Sequence, residues 1–308
     1  YETKVNTVTV EQSGPVRAVV KIEGVHRGVS TRRELLPFTV RLYFYAGQET
    51  IRMVHSFIYD GDQERDFIRG LGVTFSVPMR EQIHNRHVRF AGEGDGLWAE
   101  PVQPMVGRGG RFVEVDGADV YPIQAAGGRV PNYEDVSNRS KGWLDDWAAW
   151  GDFRLIQPNA NGFTIEKRTA GHSAWIPAGS GGRANGLVFA GDVSGGLAVS
   201  LKNFWQSYPA SLEVRNATGS AADLTVWLWS PDAPAMDMRH YSDRAHGLQA
   251  AYEDVQEGFS TAHGVARTSE LTLFATREVP GAAHAVHLAQ AGARPPLLVC
   301  TPQYLQAA

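Results

Sequence analysis

Residues 227–241, WLWSPDAPAMDMRHY, leave what reads as a β-strand and run straight into Arg239, His240 and Tyr241. A guanidinium fork takes up a carboxylate, and histidine or tyrosine can move a proton. These residue types suit a reaction on an acidic substrate. HNRHVR, residues 84–89, adds Arg86 and His87 between His84 and Arg89. On an extended chain His84 and Arg86 face one way, and His87 and Arg89 the other. That gives either an anion clamp with a histidine proton carrier or a polar sheet face of arginine–carboxylate pairs. EDVQEGFSTAHGVAR, residues 253–267, holds Glu257, His263 and Arg267. Gly258 and Gly264 free the backbone around them; otherwise the stretch is a surface loop before a strand. NFWQSYP, residues 203–209, sets Trp205 and Tyr208 beside Asn203 and Gln206. Aromatic platforms flanked by amides suit sugars, and aromatic residues equally suit a sandwich core. In an extended segment the spacing of three puts the two rings on opposite faces, one in the core and one toward a cleft.

Other chemistry is absent from the pattern. No H-E-x-x-H helix or paired histidines suggest a metal, and GEGDG and GSGGR lack the lysine of a phosphate loop. Those glycine runs read as turns. The formal charge of −4 and pI near 6.2 give no basic footprint, so nucleic acid is not an expected partner. No apolar stretch is long enough to span a bilayer. The only cysteine, Cys300, allows no intrachain disulfide. Secreted, periplasmic and cytoplasmic locations all fit. The chain starts at Tyr1 with no leader and reads as an excerpt from a longer protein.

The elements that must position these groups are strands. VNTVTVEQSGPVRAVVKIEGVHR and PFTVRLYFYAGQETIRMVHSFIYDGD each give two alternating runs around a turn. IRGLGVTFSVP, GFTIEKRT, ANGLVFAGD, GGLAVSLKNFW, ASLEVRNATG, ADLTVWLW and ARTSELTLFAT continue the pattern. About ten or more short strands with few helical periods predict an antiparallel β-sandwich. Residues 100–160, rich in Gly, Pro, Asn and Asp, read as a long irregular excursion with one short helix in KGWLDDWAAWGDF. Trp143, Trp147 and Trp150 stand there among acids. Pro231 and Pro234 cannot donate ladder hydrogen bonds, so the strand carrying Trp227 and Trp229 is expected to stop near Ser230. Met236 and Met238 would then pin the turn, leaving Asp237 and Arg239 on its other side.

The ordered set GPVRAVVKIEGVHR, PFTVRLYFYAGQETIRMVHSFIYDGD, NRHVRFAGE, LWAEPVQP, NFWQSYP, LWSPDAPAMDMRHY and EDVQEGFSTAHGVARTSEL resembles the exo-rhamnogalacturonan lyase/YetA-like family, polysaccharide lyase family 26. The resemblance implies three parts: an N-terminal β domain, a central β-sandwich and a C-terminal α/α toroid. Residues 1–35 would be the end of the first part or the first strands of the sandwich, 36–280 the sandwich, and 281–308 a linker toward the toroid. It also implies exo-acting β-elimination on rhamnogalacturonan-type pectin backbone, at a uronate next to rhamnose, incomplete without the toroid. Arg86, Arg239, His87, His240, Tyr241 and His263 are the candidates for the chemistry, and Trp205, Tyr208, Arg267 and Glu257 for substrate contact. No cofactor is expected, although Ca²⁺ could replace arginine as the carboxylate neutraliser. The expected partners are a poly- or oligosaccharide and the toroid. Two other functions fit the residues: a non-catalytic carbohydrate-contacting or scaffolding sandwich, and a sugar epimerase with His and Glu in one cleft.

Overall fold

The computed structural model describes residues 1–239, 261–294 and 301–307. Its strands are β1 (Glu2–Ser13), β2 (Arg17–Arg27), β3 (Glu34–Tyr45), β4 (Thr50–Ile58), β5 (Leu71–Pro78), β6 (Arg86–Ala91), β7 (Leu97–Pro101), β8 (Glu114–Val115), β9 (Ala118–Asp119), β10 (Asp152–Asn159), β11 (Gly162–Arg168), β12 (Ile176–Gly181), β13 (Leu187–Asp192), β14 (Gly195–Leu201), β15 (Ala210–Arg215), β16 (Ala221–Trp229) and β17 (Ala266–Thr276). A nine-stranded sheet runs β1-β2-β3-β4-β17-β14-β13-β6-β7, and a six-stranded sheet runs β12-β11-β10-β15-β16-β5. β8 and β9 form a separate small hairpin. The pairings are antiparallel. The chain is a β-sandwich.

Alternation makes it so. Leu224, Val226 and Leu228 on β16 and Leu212 and Val214 on β15 are buried against Val88, Phe90, Val188, Val199 and Leu271 of the larger sheet. Apolar residues at every second position give each sheet one face that only the other sheet can cover. β6 departs from this rule, because all six of its residues are buried. Val88 and Phe90 enter the main core, whereas Ala91 joins a second core built with helix α3 (Ala282–Ala293). Residues 281–308, expected as a linker, thus supply a helix that packs on the outer face of the nine-stranded sheet. Its run AAHAVHLAQAGA puts Ala285, Leu288, Ala289 and Gly292 on one buried stripe. β1 and β2 extend the same sheet beyond β3.

The excursion is more ordered than its composition suggests. Helices α1 (Tyr121–Ala126) and α2 (Asn138–Asp146) enclose a small core of Met105, Val113, Val120, Val130, Val136 and Leu144. α2 starts three residues before the expected helix and ends before Trp147; α1 was not foreseen. Ser137 caps α2 by accepting from Ser140 N. Buried amides join this lobe to the sandwich: Gln124 Nε2 donates to the His84 and Gln103 carbonyls, and Asn85 exchanges two bonds with Val130. A fourth helix, α4, spans Pro302–Ala307.

Candidate functional site

β16 ends at Trp229, as two nearby prolines require. The chain turns at Ser230, whose N–H donates to the Pro209 carbonyl at 3.0 Å. Met238 is buried and Met236 half-buried, and Met236 exchanges backbone bonds with Ile68. Asp232 accepts from Arg154 at 2.7 Å. These contacts draw three separate segments to one end of the sandwich. Arg267 Nη2 donates to the Ser207 carbonyl at 3.3 Å, and Gly264 N donates to the Tyr59 carbonyl. Gly264 sits at φ +96°, a conformation that favours glycine.

The rim so formed holds a cleft of about 270 Å³ lined by Phe57, Tyr59, Trp229, Asp237 and Arg267 among others. Arg267 is half-buried, and burial pulls its guanidinium below the usual arginine range. Trp229 is held by its indole N–H donating to the Pro234 carbonyl. Tyr208, 48% exposed, follows Ser207, whose carbonyl Arg267 reaches, and His263 is exposed two residues before Val265, which lines the cleft. Arg239 lies over the Phe67 ring at 5.2 Å and pairs with Asp237 at 2.6 Å. The hydrogen bond to Asp237 raises its pKa further. Phe67, 42% exposed, belongs to the turn YDGDQERDFIRG, which reads in sequence only as a strand closure.

The other candidates fall elsewhere. The segment Trp205–Ser207 is a 3-10 turn rather than an extended run, so the spacing of three does not set Trp205 and Tyr208 on opposite sheet faces. Trp205 is half-buried under Arg183, whose guanidinium carbon lies 4.4 Å from the ring centroid. Arg86 spends its guanidinium on three backbone carbonyls, those of Glu81, Ala217 and Gly219. Ala217 and Gly219 precede β16, whereas the rim follows it. Nine extended residues put these ends roughly 26 Å apart. His87 is buried at 1% exposure with Nε2 unpartnered, and burial, then Arg89, holds its pKa at about 3. It faces the second core, not the rim. His84 lies in a 3-10 turn before β6, so it does not share a strand face with Arg86. His240, Tyr241 and Glu257 lie outside the described residues.

Comparison with known proteins places the chain. The family description "PcRGLX-like protein central beta sandwich domain" matches residues 1–290. The chain belongs to that family. It is also 38% identical to the uncharacterized protein YetA of Bacillus subtilis (strain 168) over 309 aligned positions, covering 97% of this chain and 34% of YetA. The chain therefore spans about a third of that relative's length. Among solved structures, a putative aldose 1-epimerase from Escherichia coli K12 matches 88% of this chain and 68% of its own at TM-score 0.33 and 11% identity. A galactose mutarotase related enzyme from Lactobacillus acidophilus matches 88% and 71% at TM-score 0.31 and 9% identity. Among the described residues no group of three or more His, Cys, Asp and Glu could hold a metal ion. No described helix is long and apolar enough to cross a membrane.

Proposed function

We propose that this PcRGLX-like sandwich is the central part of a polysaccharide lyase that cuts rhamnogalacturonan-type backbone from the chain end by β-elimination. The observation that carries the reading is Arg267: a half-buried guanidinium with one long backbone bond, in a cleft walled by Trp229 and Tyr59. A uronate carboxylate paired with that fork has its negative charge offset by the guanidinium, which acidifies the C5 proton. A base then takes the proton, the C4–C5 double bond forms, the C4–O4 bond breaks, and an acid returns a proton to O4. His263 is the described histidine best placed for one proton transfer. Arg239 supplies a second fork once a substrate carboxylate displaces Asp237, because an exposed pair is held by little net energy. His240, Tyr241 and Glu257 follow Arg239 in the chain and complete the proposed set, with Tyr208 as a sugar platform.

One observation favours the alternative of a non-catalytic carbohydrate-contacting module: Asp237 already occupies the Arg239 fork. The two separate in the complete polypeptide. Incubation with rhamnogalacturonan should release an unsaturated uronate, seen by its ultraviolet absorbance, and Arg267→Gln should lower the rate about tenfold or more, some 1.4 kcal/mol in the barrier. An unchanged rate in a folded Arg267→Gln enzyme removes this rim from the chemistry.

A further inference from the structure

The tryptophans Trp143, Trp147 and Trp150 take no part in the strand-end rim. Where the excursion returns to the sandwich, Trp147 and Trp150 border a second cleft, of about 600 Å³, that shares no lining residue with the first. Trp147 follows α2, and Trp150 lies two residues before β10; both are half-buried. Trp147 stacks on Trp143 at 6.0 Å between ring centroids. Gly107 lies so close to it that a Cβ there would come within 2.4 Å of the indole, which makes glycine a requirement for this wall. On the opposite side, Lys167 of β11 forms an ion pair with Glu100 of β7 and holds its ammonium 4.1 Å from the Trp150 centroid. Both partners of that pair are largely covered, at 17% and 16% side-chain exposure.

Arg111 completes the lining. It is exposed, and among the described residues its guanidinium has no hydrogen bond or ion pair. Most other arginines of the fold are spent: Arg154 on Glu166 and Asp232, Arg168 on Asp152, Arg52 on Glu270. Two indole walls, a fixed ammonium–carboxylate pair and an uncommitted fork therefore face one space. The volume lies in the range of small-ligand sites, about 300–1,000 Å³. Sugars present C–H faces to indoles and hydroxyl edges to charged hydrogen-bonding groups. A planar fork on one side adds recognition of a carboxylate.

We propose that this cleft is a binding site for short acidic saccharides, with Trp147 and Trp150 as the walls, Glu100 and Lys167 on the hydroxyls, and Arg111 on the uronate carboxylate. The inference rests on these side chains and not on the lyase reading. Burial raises the Glu100 carboxyl pKa against the opposing pull of Lys167, as befits a group shielded from bulk water.

Calorimetric titration of this chain with trigalacturonate and with its methyl-esterified form tests it. Wild type should bind trigalacturonate saturably, and Arg111→Gln, at an exposed position, should weaken it tenfold or more while changing binding of the ester less than twofold. Trp147→Ala should weaken both probes at least fivefold, with a thermal melt to show that the chain stays folded. Arg277→Gln, at an exposed ion pair that lines neither cleft, should leave both affinities unchanged. Absence of saturable trigalacturonate binding to wild type overturns the proposal, as does an Arg111→Gln protein that binds it like wild type. A loss confined to Arg267→Gln assigns the saccharide to the strand-end rim and also overturns it. A complete enzyme without lyase activity, whose Arg111 dependence persists, sinks the catalytic reading alone.

Discussion

Arg239 and Arg267 show how differently two arginines can stand at one rim. Arg239 has 55% of its side chain exposed and grips Asp237, two residues away. Arg267 is half-buried and, among the described residues, reaches one carbonyl. The first is bound in an exchangeable way, and the second has lost water without gaining a counter-ion among the described residues. Replacing Arg239 by Lys keeps the charge and loses the fork. Turnover of the complete enzyme should fall about tenfold, while stability changes by less than about 1 kcal/mol, the worth of an exposed pair. Kinetics paired with urea melts check this. A lowered melting midpoint with unchanged turnover of the folded fraction would make Arg239 a purely structural clasp.

At the scale of elements, the turn after β13 carries a polar group that the fold cannot lose. Asp192 is fully buried and accepts from Arg80 N, Glu81 N, Ser194 N and the Ser194 hydroxyl. Burial opposes its ionisation, yet the hydrogen bonds outweigh it and hold the carboxyl below its usual range. Asp192→Ala would leave those donors facing a void, at a cost of about 2–4 kcal/mol. Denaturant titration should report that loss; a change under about 0.5 kcal/mol would mean that water satisfies the donors. This turn lies beside Arg86 and fixes the start of β6. Residues that looked chemical in the sequence, Arg86 and His87, belong to that scaffolding.

For the molecule as a whole, neutral histidines sealed between layers predict acid sensitivity. His55 is buried on β4 with Nδ1 unpartnered; burial, then His26, depresses its pKa to about 4. His87 is held at about 3. Both titrate near 6.5 in an unfolded chain. Since the folded values are the lower ones, the unfolded state binds more protons below pH 6.5. The contribution of each histidine is therefore complete above pH 6.5 and is lost as pH falls toward the folded value. The slope is about 1.4 kcal/mol per pH unit for each. Urea midpoints measured from pH 7.5 to 5 should fall, and His55→Leu should flatten the curve by one histidine's share. A midpoint independent of pH over that interval would show that these imidazoles find water or a partner in solution.

Much of this architecture is legible along the chain, because a strand's two-residue period and its breakers are local properties. The alternation of Leu224, Val226 and Leu228 and the prolines at 231 and 234 fix where β16 lies and stops, whatever surrounds it. The ordered motifs likewise carry the family. What the sequence could not supply is who meets whom. The rim joins residues 59, 207, 229 and 267, and the second cleft joins 100, 111, 147 and 167, through sheet order and chain crossings that no local pattern encodes. Nor does a residue's type reveal its solvation: an arginine, a histidine and an arginine at 86, 87 and 89 look like a reactive cluster until two layers close over them. The helix at 282–293 was hidden for the same reason, since its small apolar residues become a stripe only against the sheet they cover. Burial and long-range pairing are properties of the assembled layers, so tertiary structure alone decided which charged side chains brace the fold and which still face a ligand.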